Sequence, residues 1–261
     1  MDSYRLSLMV FHVEMLGLPG SGKSTVRNDL CMISPHGIIS AEEAYKIAFC
    51  RLIYPNYSWS VCRHVPQTVF NKLLSLQIRL SATPANERYG DFYSVATDAI
   101  TTYSDDDSRQ VTVQTWLEIL IEKYDAISRT FSPQKTVIFD EGFLQRSLSL
   151  FCPPYPATPL KKKYIKQYLS SMPTPDLIVI LDVSAEVSHE RMSSREIGAP
   201  SSYTHLTQVE LQQSLDRMRA YINYVAEMSE DSNIPLFRIN NEGQIKNTVQ
   251  QIHQVLLQTE R

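Results

Sequence analysis

Nine consecutive residues restrict this chain more than anything else in it. Residues 17–25 read Gly17-Leu18-Pro19-Gly20-Ser21-Gly22-Lys23-Ser24-Thr25, preceded by the apolar run Val10–Leu16. The spacing G-x-x-x-x-G-K-[ST] between a predicted strand and a predicted helix is that of a phosphate-binding loop. The glycines let the backbone approach an anion closely. Successive N–H groups then form a nest, and the helix that follows adds the positive end of its dipole. Lys23 is expected to reach the β- and γ-phosphates, and the Ser24 hydroxyl to ligate Mg²⁺. Gly17, Pro19, Gly20, Ser21, Gly22, Lys23, Ser24 and Thr25 are therefore the expected nucleotide-binding residues.

A strand feeding such a loop needs a sheet around it, and the chain supplies one. Its 261 residues are ample for a sizeable core. Apolar runs at Val10–Leu16, Ile38–Ile39, Thr136–Phe139, Leu177–Val183 and Leu236–Ile239 alternate with helical patterns. Helices are expected over Ser24–Met32, Ala41–Leu52, Val111–Phe131, Leu144–Phe151, Leu160–Ser171 and Ser184–Glu196, then from Thr207 and again towards the C-terminus. Two of them open on capping-box spacings, Ser40 with Glu43 and Thr207 with Glu210. Alternation from end to end predicts an α/β fold: a three-layer, five-stranded parallel sheet flanked by helices, with ligands at the C-terminal edge of the strands. The chain is expected to be one domain, 1–261. The long segment between the second and third strands, about 54–131, is predicted to form a helical cap, and residues 185–206 a lid.

Chemically apt residues fall at the expected strand ends. The third strand ends in Asp140-Glu141-Gly142-Phe143. Asp140 is expected to organise Mg²⁺, and either Asp140 or Glu141 to act as a base. Glu42 after the second strand and Arg146 on the helix after the third are candidates to bind an acceptor, as are Arg51, Arg63, Arg79 and Arg88. Asn240 closes the fifth strand and is expected at the nucleotide. Arg191 and Arg195, four residues apart after the fourth strand, share a helix face from which they can clamp a transferring phosphoryl group. The acidic run Asp105-Asp106-Asp107 reads as a solvated loop, and Lys161-Lys162-Lys163 as a solvated helix face.

Net charge is −3, so nucleic acid is not expected as a bulk partner. Four scattered cysteines, Cys31, Cys50, Cys62 and Cys152, form no C-x-x-C pair and are expected to be reduced thiols. No stretch approaches the roughly 20 apolar residues needed to span a bilayer, and no secretory leader is visible. A cytoplasmic protein without a membrane partner is expected. A homodimer is compatible with the sequence, which fixes no oligomeric state.

Three stretches resemble the thymidylate kinase-like group of nucleoside and nucleotide kinases: Gly17–Thr25, the strand end Val137–Phe143, and Leu181–Glu196. The last matches a strand-four and lid pattern, L-D-V-x-x-E-x-x-x-x-R-x-x-x-R, that places two arginines near the nucleotide. The resemblance implies a P-loop kinase fold, ATP as the nucleotide, and catalytic roles for Lys23, Asp140, Glu141, Arg191 and Arg195. Two elements depart from the group. Ser40-Ala41-Glu42-Glu43-Ala44 replaces an acidic-arginine-proline element after the second strand, and Glu141 stands where an arginine usually follows the third-strand acid. These features are similar to kinase-like ATPases of biosynthetic gene clusters. The expected activity is ATP- and Mg²⁺-dependent phosphoryl transfer to a small-molecule acceptor. The alternative is an ATP-hydrolysing switch or interaction protein, in which Glu141 orients water.

Overall fold

The computed structural model describes residues 10–35, 37–53, 88–103, 106–132, 134–153, 159–194 and 203–259. Five strands form one parallel sheet in the order β2-β3-β1-β4-β5. They are β1 (Phe11–Gly17), β2 (Ile38–Ser40), β3 (Thr136–Phe139), β4 (Leu177–Asp182) and β5 (Leu236–Asn240). The described helices are α1 (Lys23–Ile33), α2 (Ala41–Ile53), α3 (Gly90–Tyr103), α4 (Asp107–Thr130), α5 (Phe143–Phe151), α6 (Lys162–Ser171), α7 (Ala185–Ser193), α8 (Gln208–Asp231) and α9 (Ile245–Thr259). The expected α/β class and all five strands are present, with ends shifted by no more than one residue.

The chain divides into two compact units, Met1–Phe11 with Pro35–Val137, and His12–Ser34 with Ile138–Arg261. In the first unit α4 packs on α2 and on α3. Asp125, buried on α4, is held by two arginines, Arg88 and Arg129, each at 2.6 Å. Lys123 Nζ donates to Glu42 at 3.4 Å within the same unit. Of the predicted cap, residues 54–87 lie outside the described residues, and with them Arg63 and Arg79. Asp106 and Asp107 are not a loop. Asp106 caps α4 by accepting from the Ser108 N–H, because a carboxylate at that position satisfies a helix-end donor and favours the dipole.

In the second unit β4, Leu-Ile-Val-Ile-Leu-Asp, is buried except at its last residue, as a strand covered on both faces must be. Its register fixes the functional edge: Gly17 lies beside Leu181, and Asp182 beside Asn240. α1 packs on α9, and α8 packs on α5, α7 and β5. The Ser40 and Thr207 caps both form, the second as a complete capping box. Thr207 Oγ1 accepts from Glu210 N–H while the Glu210 carboxylate takes the Thr207 N–H. α6 begins two residues later than its sequence predicts. Its first turn closes when the Tyr164 N–H donates to the Lys161 carbonyl, so Pro159 and Leu160 stay outside the helix.

Candidate active site: a phosphate loop facing a polar helix

The loop begins where β1 runs out. The Ser21 N–H donates to the Leu18 carbonyl at 3.0 Å, which turns the chain into α1. Gly20 and Gly22 take φ of 81° and 89°, a left-handed conformation that L side chains rarely adopt. A Cβ at Gly20 would also meet the Ser188 carbonyl at 2.7 Å, and one at Gly22 the Asn241 amide nitrogen at 2.8 Å. Both neighbours hold the loop itself. Ser188 Oγ donates to the Pro19 carbonyl at 2.5 Å, and Asn241 Nδ2 donates to the Ser21 carbonyl at 2.6 Å. Asn241 is wholly buried and its Oδ1 accepts from Thr248, so α9 fixes the amide that braces the loop. Asn240, expected at the nucleotide, lies at this edge beside Asp182, where it accepts the Glu242 N–H and is exposed.

Lys23 is 7% exposed and donates to the carbonyls of Gly17 (3.0 Å) and Leu18 (3.2 Å) and to Ser21 Oγ (3.4 Å). Its charge is thus fixed at the mouth of the nest. One residue on, Ser24 Oγ donates to Asp140 Oδ2 at 3.0 Å. The other oxygen of Asp140 accepts from Arg27 Nη1 at 2.7 Å. Asp140 is 2% exposed, and its burial is compensated by these two bonds. Arg27 lies one turn beyond Ser24 on α1 and belongs to no motif. A hydroxyl beside a buried carboxylate is an oxygen donor set suited to Mg²⁺, so the residues present fit that ion.

The turn after β3 is fixed by a group that the motif does not contain. Glu14, in the middle of β1, is fully buried and accepts from the N–H groups of Phe143 (2.8 Å) and Leu144 (3.2 Å). His12 Nε2 lies 3.2 Å from the same carboxylate. A buried anion at the N-terminus of α5 is favoured by both the orphan N–H groups and the dipole. The fit leaves no room for a side chain at 142, because a Cβ there would collide with the Glu14 carboxylate. The signal was present in the sequence: a glutamate inside a strand buried on both faces requires partners.

α5 so placed presents Gln145 and Ser149 to the loop, and the turn just before it presents Glu141. They line a cavity of about 320 Å³ with Pro19, Gly20, Gly22, Lys23, Ser24, Thr25 and Tyr203. Glu141 is half exposed and pairs with Arg146 at 3.4 Å. Tyr203 donates to Met218 Sδ at 3.8 Å, and burial raises its phenol well above the usual range, so it remains a donor. Behind it, burial pushes the Cys152 thiol up to about 12. Arg191 stands beside the loop on α7, with its Cβ 3.5 Å from where a Cβ at Gly20 would lie. Its Nη2 donates to the Glu242 carbonyl at 3.4 Å, while its Nη1 is buried with no hydrogen-bond partner among the described residues. Glu242 also takes the Ser184 N–H at 2.6 Å, and that bond holds its carboxyl below the usual range.

The structure thus brings Gly17, Pro19, Gly20, Ser21, Gly22, Lys23, Ser24, Thr25, Asp140, Glu141, Arg146 and Arg191 into one unit. Glu42 belongs to the other unit, and Arg195 lies outside the described residues. Among the described residues no group of three or more His, Cys, Asp or Glu side chains could hold a metal ion. No described helix is long and apolar enough to cross a membrane. Cys31 is partly exposed, and Cys50 and Cys152 are buried.

No protein-family model matches the chain, and no curated protein matches it. Among solved structures the chain is similar to deoxyadenosine kinase from M. mycoides with bound dATP, at 14% identity and a TM-score of 0.49, covering 94% of this chain and 98% of that one. The same kinase with bound dCTP gives identical values. With products dCMP and a flexible dCDP bound, it matches at 14% identity over the same shares, with a TM-score of 0.47.

Proposed function

We propose that the protein is a phosphotransferase that moves the γ-phosphoryl group of ATP to a small-molecule acceptor. The observation that carries this is the cavity itself, where a complete phosphate loop faces a carboxylate on a separate helix-linked turn. The N–H nest and Lys23 would cradle the β- and γ-phosphates. Ser24 and Asp140 would hold Mg²⁺, which when bound offsets the charge of the triphosphate. Arg191, with a buried cationic nitrogen that bonds to no described protein atom, is well suited to a phosphate oxygen. Arg195 is proposed to share that role.

Acid–base work falls to Glu141. Both oxygens of Asp140 are engaged, by Ser24 and Arg27, whereas Glu141 lines the cavity and is half exposed. A carboxylate there can take the proton of an acceptor hydroxyl as its oxygen attacks phosphorus, and ADP leaves with the bridging oxygen. Arg146 holds Glu141 in place from the side. The substrate-binding roles of Arg146 and Glu42, the segment 54–131 as a cap and 185–206 as a lid remain part of this proposal.

The test is a panel of phosphate acceptors with ATP and Mg²⁺, read as ADP release. Release that depends on an added acceptor and disappears in Lys23→Ala supports transfer. Steady hydrolysis that ignores every acceptor points instead to the hydrolytic switch. Transfer retained in Lys23→Ala overturns the assignment.

A further inference from the structure

Gln145 is 7% exposed, on the first turn of α5, and lines the cavity. Its Oε1 accepts the N–H of Gly17, the first residue of the loop, at 3.2 Å. That bond decides which way the amide faces. A backbone N–H can only donate, so the oxygen must meet it and the NH₂ group must lie on the other side. Nε2 makes no bond to a described residue, and the residue lines the cavity. The side chain is buried, braced at one end and offered as a donor at the other.

Its surroundings specify what it is offered to. The nest and Lys23 line the same cavity. Glu141, on the turn just before α5, brings its carboxyl group to the same space. A cation at 145 would compete for that carboxylate, as Arg146 does from the neighbouring position. A neutral amide donates without neutralising Glu141. Lys23, assigned to the β- and γ-phosphates, donates to the Gly17 carbonyl, and Gln145 accepts from the Gly17 N–H, so the two side chains are anchored on the same residue.

We infer that Gln145 is a positioning residue that recognises the terminal phosphate, its Nε2 donating a hydrogen bond to a γ-phosphoryl oxygen while Gly17 fixes the amide. This rests on the cavity being the triphosphate site. Gln145 would thereby distinguish a triphosphate from a diphosphate and hold the group in line with an acceptor activated by Glu141.

The experiment compares binding of ADP and of the non-hydrolysable triphosphate AMP-PNP, each with Mg²⁺, by calorimetry. Two variants are used. Gln145→Met is neutral and removes both the donor and the oxygen that accepts the Gly17 N–H. Gln145→Glu also removes the donor but keeps an oxygen for the Gly17 N–H. Both are expected to weaken AMP-PNP by roughly tenfold or more, the worth of a hydrogen bond to a charged group. The lost bond to Gly17 acts on both nucleotides, so Gln145→Met should weaken AMP-PNP about tenfold more than it weakens ADP. Three results overturn the inference. Unchanged AMP-PNP binding in Gln145→Met would attribute any effect of the glutamate to its charge. Equal loss of ADP and AMP-PNP, with a lowered Tm, would make Gln145 only a brace for the loop. Failure of the wild-type protein to bind either nucleotide would overturn the triphosphate site itself, and is told apart by requiring no variant.

Discussion

At the scale of single residues, the loop was legible because its chemistry is local. Gly20 and Gly22 take the left-handed backbone that their place in the turn into α1 requires, and nine adjacent positions suffice to suggest it. What the sequence concealed are partners brought together over long separations. Glu14 meets the α5 N–H groups across 129 positions, and Asn241 meets Ser21 across 220. Asn240 and Asn241 sit side by side in sequence, and only the path of the chain after β5 decides which one turns inward. Glu14→Gln should show what such a group contributes. An amide there must direct at least one N–H at a site already occupied by the donors of Phe143, Leu144 or His12. A loss of about 2–3 kcal/mol is expected, the cost of a buried donor without an acceptor, and equilibrium urea unfolding reads it directly. A second residue-scale expectation concerns thiols. With its pKa raised to about 12 by burial, Cys152 holds almost no thiolate at pH 8, whereas Cys31 is partly exposed. Iodoacetamide should therefore label Cys31 well before Cys152 in the native protein, with the order seen by peptide mass analysis.

Elements were easier to place than to orient. The sequence places a helix at Leu144–Phe151 and offers its charged residue, Arg146, for the site. Counting in fours from Glu141 leads instead to Gln145 and Ser149, the side that meets the loop. Capping was the most transferable signal, because both capping-box spacings marked true helix starts. Thr207→Ala should remove the side-chain half of the α8 cap and cost about 1 kcal/mol in urea unfolding. α4 carries a pH-dependent term of its own. Burial, then the neighbouring charges of Glu118 and Asp125, raise the carboxyl of Glu122 above its usual range. Between its unfolded and folded pKa the native state binds more protons than the unfolded chain, so stability falls as pH rises through that window. Above it the penalty is complete. Glu122→Gln should flatten this part of the stability–pH curve and stabilise the protein at pH 7 relative to the wild type. An unchanged curve would show that Glu122 is solvated in the native state.

For the whole molecule, the sheet order β2-β3-β1-β4-β5 explains why one loop motif could foretell so much. β1 is central, so whatever follows it lies at the middle of the functional edge, and the ends of β3, β4 and β5 have to gather round it. Asp140, Arg191 and Asn241 arrive there for that reason. Ligand linkage then gives a global observable. A nucleotide that binds only the folded state at one hundred times its Kd should add about 2.7 kcal/mol to unfolding, and a chain of this length converts that into a Tm rise of a few degrees. ATP with Mg²⁺ should produce that rise in the wild type, and Lys23→Ala should abolish it. Asp140→Asn separates the metal from the nucleotide. Asparagine keeps one oxygen to accept from Arg27 and turns its NH₂ to the Ser24 hydroxyl, which can accept, but it offers no charge to Mg²⁺. Its Tm in the absence of ligand should fall, since Arg27 loses its counter-ion. Its remaining response to ATP should be the same with Mg²⁺ as with EDTA. A full Mg²⁺-dependent shift in Asp140→Asn would show that the carboxylate contributes nothing to the metal site, and Ser24 would then need a different partner for that ion.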